Sequence, residues 1–115
     1  MDEVAVMAEE QRFKRLYPRR QLHASCQVCC LDRLITGKVV DVSYNGVAIV
    51  LPQAVELTEA ASLELPERIR LRVRPVYNQP VYTREEREQY RVGYKIQLIE
   101  KGQRAWTNLC HVVHW

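Results

Sequence analysis

The sequence predicts an all-β domain, a small antiparallel barrel closed at one end by a short C-terminal α-helix. Three observations lead there. From Leu22 onward the chain runs in short apolar stretches separated by Gly, Pro, Asn and Asp turn signals. The clearest stretch, Arg68-Ile69-Arg70-Leu71-Arg72-Val73-Arg74, alternates strictly at period two, so one face is apolar and the other basic. At the end of the chain the period changes. Trp106, Leu109, Cys110 and Val113 stand at i, i+3, i+4 and i+7, the stripe of an amphipathic helix that starts after Gly102. Several strands followed by one helix suit a barrel with a helical plug. At 115 residues, 47% of them hydrophobic, the chain fits a single domain with a modest core.

Residues 1–20 form an N-terminal arm, and residues 21–115 the barrel with its helix. The arm begins acidic, with Asp2, Glu3, Glu9 and Glu10, and turns basic at Arg12, Lys14, Arg15, Arg19 and Arg20. Pro18 disfavours helical backbone at Tyr17, so the arm enters the domain extended or turning. Strands are expected over Leu22–Leu31, Leu34–Val42 and Val47–Leu51, the last stopped by Pro52. After the basic strand, Pro75 and Pro80 bound a short irregular piece containing Tyr77, and Arg84–Gln89 forms a polar tip. In the last strand Val92, Tyr94, Ile96 and Leu98 point to one face, and Gly93, Lys95 and Gln97 to the other.

Several function classes drop out. No apolar run approaches the roughly 20 residues of a membrane-spanning helix, and the start of the chain lacks the pattern of a signal peptide. The reading is therefore cytoplasmic. Of the four cysteines, Cys26 and Cys30 share a strand face with Val28, while Cys29 points away. That strand has no Gly or Pro for a knuckle turn, so these thiols, with Cys110, read as structural groups rather than metal ligands. His111 and His114 read as helix-surface residues. No constellation suited to catalysis is present, and no metal or cofactor is expected.

The polar groups that remain fall into two sets. Arg15 and Arg19 are four residues apart, or about 13 Å along an extended chain, and a bend at Pro18 brings them closer. A guanidinium fork matches guanine O6 and N7 with two parallel hydrogen bonds and pairs with phosphate through charge-assisted ones. Asp41, Ser43 and Gly46 form the second set. A carboxylate accepts from guanine N1–H and its amine, a hydroxyl donates to phosphate, and glycine permits positive φ and close approach of a ligand. Each set also has a plain explanation. The first could be a solvated basic linker, and Asn45-Gly46 between apolar strands is a hairpin signal.

Arg-x3-Arg, a strand-length gap, and Asp-x-Ser-x2-Gly at a strand end together resemble the two-part signature of PilZ domains, over roughly residues 11–100. The resemblance implies a six-stranded β-barrel with appended helices, a non-catalytic receptor for cyclic di-GMP. It implies that Arg15 and Arg19 hold guanine and phosphate, often of an intercalated ligand dimer, and that Asp41, Ser43 and Gly46 line the opposite side. Lys14 stands where an additional arginine is frequent and contacts phosphate less selectively. Arg20 stands where an apolar residue is common. A register shifted by one is excluded because Leu16 lies four residues before Arg20.

A narrower resemblance joins Ala5-Val6, the run Glu10–Arg15, and the Trp-containing C-terminal segment. These are similar to the junctions of the C-terminal PilZ domain in bacterial cellulose synthase catalytic subunits. This resemblance implies a cis-acting catalytic domain as partner, with the glycosyltransferase residues outside the chain and the domain on the cytosolic side of an inner-membrane protein. The alternative is a small barrel that binds nucleic acid through Arg68, Arg70, Arg72 and Arg74, or binds a protein partner. Few aromatics interleave with those arginines and the net charge is only +3, so neither DNA nor RNA is the expected ligand.

Overall fold

The computed structural model describes residues 20–82 and 88–110. Six antiparallel strands close into a barrel in the order β1-β2-β3-β6-β5-β4. They are β1 (Arg20–Cys30), β2 (Arg33–Ser43), β3 (Gly46–Leu51), β4 (Ala61–Leu65), β5 (Ile69–Tyr82) and β6 (Glu88–Lys101), followed by helix α1 (Gln103–Cys110). Closure is made by β1 against β4, with Val28 opposite Leu63. It leaves no open sheet edge along that part of the wall.

Alternation builds the core. Cys26, Val28 and Cys30 of β1 point inward while Cys29 is exposed, and Ile69, Leu71 and Val73 point inward between exposed Arg70, Arg72 and Arg74. Val39, Ile49, Leu63, Leu71, Val73 and Val92 are fully buried, and Trp106 of α1 plugs the barrel end at 0% exposure. Each such aliphatic side chain contributes about 1.5–3 kcal/mol on burial. Burial pushes the Cys26 and Cys110 thiols up to about 12. It also raises Cys30 and the Tyr94 phenol.

The structure departs from the sequence reading in several places. Strand β4 is an additional element, its Ala61, Leu63 and Leu65 buried and Ser62 and Glu64 more open. Leu31 lies in the β1–β2 turn at φ 53 rather than in the strand. Arg68 likewise precedes its strand, in a turn where Glu67 and Arg68 both have positive φ. Residues 75–80 belong to β5, which continues to Tyr82 paired with β6 and carries a bulge at Val76. Only Ile69–Val73 of β5 pairs with β4, so Pro75 and Pro80 sit where the strand has a free side and no second ladder needs their missing N–H. Finally, Leu98 is 54% exposed rather than inward. Arg72 pairs with Leu98 and Val73 with Ile96, which leaves Gln97 as an extra residue, a bulge that reverses the inside and outside phase of β6 beyond it.

Gln89 and Glu88 also belong to β6 rather than to the polar tip. The loop after β3 is tied down by Asn78, whose side chain accepts from the Val55 N–H at 3.0 Å and donates to the Val55 carbonyl at 2.7 Å. The expected helix face is present, with Trp106 and Cys110 buried and Leu109 packed against the core. Its fourth position, Val113, lies outside the described residues, as do His111 and His114.

Candidate functional site

A bulge determines where Asp41 points. Ile35, Gly37 and Val39 face inward at period two, and an unbroken β2 would send Asp41 into the core. Val39 pairs with Ile49 and Asp41 with Ala48, so Val40 is an extra residue in β2. The phase flips there. Val42 becomes the buried residue, and Asp41 stands on the outer wall with its side chain 16% exposed. A carboxylate is thereby kept out of an apolar interior and delivered to the surface without becoming fully solvated.

Ser43 and Gly46 pair across the β2–β3 turn, whose two connecting residues are Tyr44 and Asn45. Ser43 Oγ donates to Asn45 Oδ1 at 3.2 Å and lies 3.5 Å from the Gly46 carbonyl. Gly46 is the first residue of β3 and does not use positive φ. Its value is close approach, since a Cβ there would lie 3.3 Å from the Tyr94 carbonyl and 3.5 Å from Ser43 Oγ. The hairpin explanation of Asn45-Gly46 is therefore off by one residue.

Asp41, Ser43 and Gly46 line one shallow depression of about 220 Å³ on the outer face of β2, β3, β6 and β5. The opposite wall is formed by residues that the sequence reading did not single out. Arg91 reaches across from β6, its Nη2 3.6 Å from Asp41 Oδ2 and its Nε 3.4 Å from the Tyr77 hydroxyl. Tyr77 lies over Gly93 so closely that a Cβ at Gly93 would fall 2.0 Å from the ring. Another bulge aims it. Pro75 pairs with Tyr94 and Tyr77 with Gly93, leaving Val76 as the extra residue. The alternation of Arg91 and Gly93 in β6 was a visible signal. The bulge at Val76 had none, because Val76 is an ordinary strand residue.

Lys14, Arg15 and Arg19 lie outside the described residues. Where the arm joins the barrel is nevertheless fixed by register. Arg20, the residue after Arg19, is paired with Val42, and Gln21 with Asp41. Strand β1 therefore begins beside the strand end that carries Asp41 and Ser43. Helix α1 touches both parts. Arg20 Nη1 donates to the Leu109 carbonyl at 2.8 Å, the Trp106 indole N–H donates to the Tyr44 carbonyl at 3.1 Å, and Cys110 Sγ lies 3.5 Å from the Ser43 carbonyl.

The basic face of β5 is a less suitable anion site. Arg70 donates to Glu64 at 2.6 Å through Nη2 and at 3.1 Å through Nε. Arg72 pairs with Glu100 at 3.3 Å. Both arginines are about half exposed, so the pairs add little stability, but they neutralise much of the stripe.

The PilZ domain family matches residues 13–109. No curated protein matches the chain. Among solved structures, the Bacillus subtilis inhibitor of motility, MotI/DgrA, is similar with a TM-score of 0.62 at 18% identity, over 82% of this chain and 48% of that one. The chain thus spans about half the length of that structure, and the likeness concerns the fold. No helix among the described residues is long and apolar enough to cross a membrane. A match over most of the chain, on a six-stranded closed barrel, means that this chain belongs to the PilZ domain family, whose members are cyclic di-GMP-binding regulatory domains rather than enzymes.

Proposed function

We propose that the domain holds cyclic di-GMP between the arm and the outer barrel wall. Arg15 and Arg19 take guanine and phosphate, Lys14 adds a phosphate contact, and Asp41, Ser43 and Gly46 receive a guanine from the other side. The observation that carries this reading is the pairing of Arg20 with Val42 and Gln21 with Asp41, which brings the entry point of the arm to the strand end holding the second motif. At about 220 Å³ the depression is smaller than the roughly 300–1,000 Å³ of pockets that engulf a whole ligand. It suits one base, with the arm covering the rest.

Calorimetric titration with cyclic di-GMP tests this directly. Arg15→Ala and Arg19→Ala should each lose roughly 2 kcal/mol, about 30-fold in Kd, because a charge-assisted pair disappears. Wild-type affinity in both variants would remove the arginines from the site. The same titration gives stoichiometry, and two nucleotides per chain is the value expected for an intercalated dimer.

The regulated neighbour is, in this reading, a linked cellulose synthase glycosyltransferase, supported by the run Glu10–Arg15 and the Trp-containing C-terminal segment. Glucan synthesis by membranes carrying the full-length protein should rise with cyclic di-GMP and lose that response with Arg15→Ala. Synthesis indifferent to the nucleotide would rule out this neighbour while leaving the receptor role intact.

A further inference from the structure

The wall opposite the turn has the composition of a base-reading device. We propose that Arg91 and Tyr77 select guanine, with Arg91 and Asp41 together reading the Watson–Crick edge of the base and Tyr77 supplying the stacking face. This inference rests on the cyclic di-GMP reading and extends it to residues outside both sequence motifs.

The register supplies the first argument. Asp41 pairs with Ala48, Ala48 with Gly93, and Gly93 with Tyr77, so the four stand in one row across β2, β3, β6 and β5. At ~4.8 Å between strands, the row is about 14 Å long. Its middle positions are small, and its ends are a carboxylate and an aromatic ring. A base stacked on Tyr77 therefore points an edge along the row toward Asp41, where the Arg91 side chain already reaches in beside the carboxylate.

The ring is prepared for this role. Tyr77 is 39% exposed although one side of it lies against the Gly93 backbone, so the outward side faces solvent. Covering a strand glycine with a cross-strand aromatic stabilises a sheet by itself. That explains the glycine, but not why the ring lines the same depression as Asp41 with its hydroxyl turned toward Arg91. A ring placed this way stacks any base, since every base has a π-face.

Discrimination comes from the charged pair. A carboxylate only accepts hydrogen bonds and a guanidinium only donates them. Guanine presents the acceptor O6 beside the donors N1–H and N2–H, which matches Arg91 beside Asp41. Adenine presents a donor amine beside the acceptor N1, which sets donor against donor and acceptor against acceptor. The contacts that Arg91 makes to Asp41 and Tyr77, at 3.6 and 3.4 Å, are long. Exchanging them for a base edge loses little.

The test is calorimetry on the full chain with cyclic di-GMP and cyclic di-AMP as probes, with thermal unfolding of every variant as the folding control. Arg91→Met should weaken cyclic di-GMP about 10- to 100-fold and leave cyclic di-AMP unchanged, so the preference collapses. Arg91→Lys should restore part of it. Tyr77→Leu should weaken both nucleotides by the same factor, about tenfold, and Tyr77→Phe should stay near wild type. Equal losses for the two nucleotides in Arg91→Met, or none, overturn the selection role. Undiminished binding in Tyr77→Leu overturns the stacking role. Should Tyr77→Leu fail to fold, the Arg91 arm still decides selection and Tyr77→Trp, with stacking retained, still decides the platform. Wild type that ignores cyclic di-GMP refutes the underlying receptor reading. Wild type that binds and loses affinity with Arg15→Ala, while the Arg91 and Tyr77 variants stay normal, refutes this inference alone.

Discussion

Gly93 shows how much of the site depends on one missing methyl group. The Tyr77 ring occupies the space a side chain would need, and the nearest atoms are at the far end of a side chain that can swing away. Gly93→Ala should therefore cost only about 1 kcal/mol in denaturant unfolding. Its effect on the ring should be larger. We expect the near-ultraviolet circular dichroism of the tyrosines to change and cyclic di-GMP affinity to fall about tenfold, as for Tyr77→Leu. A variant that binds like wild type would place the base elsewhere on the wall. Gly46 is a different case, because the atoms near its absent Cβ include the Tyr94 carbonyl, and backbone does not yield as a ring does.

At the scale of elements, bulges decide which side chains meet. Deleting Val40 would remove the extra residue while Val39 still faces Ile49 and Asp41 still faces Ala48, so regular alternation would keep Asp41 on the outer wall. The expected outcome is a folded protein that still binds cyclic di-GMP, with a stability loss of about 0.5–3 kcal/mol from the altered local twist and pairing. Binding and thermal unfolding of the deletion variant check both parts. The same feature explains what the sequence conveyed. Period-two alternation revealed the inward faces of β1 and the start of β5, and the helix stripe at Trp106 and Cys110 was equally plain. Leu98 was misread because alternation carries no mark of the residue at which it slips, and Gln97 looks like any exposed strand position. Strand β4 has a clear pattern over five residues, but it lies among loop residues that dilute the signal. Asp41, Ser43 and Gly46 were legible as a motif. Tyr77 and Arg91 were not, because their relation to Asp41 exists only across strands β2, β3, β6 and β5.

The molecule as a whole is a closed apolar barrel capped by a helix, with three buried thiols, and this gives its stability a pH dependence. Cys26 and Cys110 are raised from 9.0 to about 12 by burial, and Cys30 is raised for the same reason first. Well below pH 9 these thiols are protonated in both folded and unfolded chains and contribute no slope. Between about 9 and 12 the unfolded chain releases protons that the folded chain retains, so unfolding becomes easier as pH rises. Urea midpoints at pH 7, 9 and 10.5 should be level at first and then fall, with a shallower fall in Cys26→Val. Exposed Cys29 should be alkylated well before the other three in the folded protein. The Arg20 contact with the Leu109 carbonyl, spanning 89 residues of sequence, carries another consequence at this scale. The chain comes into the barrel and goes out of it through one doorway, and the depression opens beside that doorway. An occupant of the depression would thus lie next to both the start of β1 and the end of α1, without having to reach through the barrel wall.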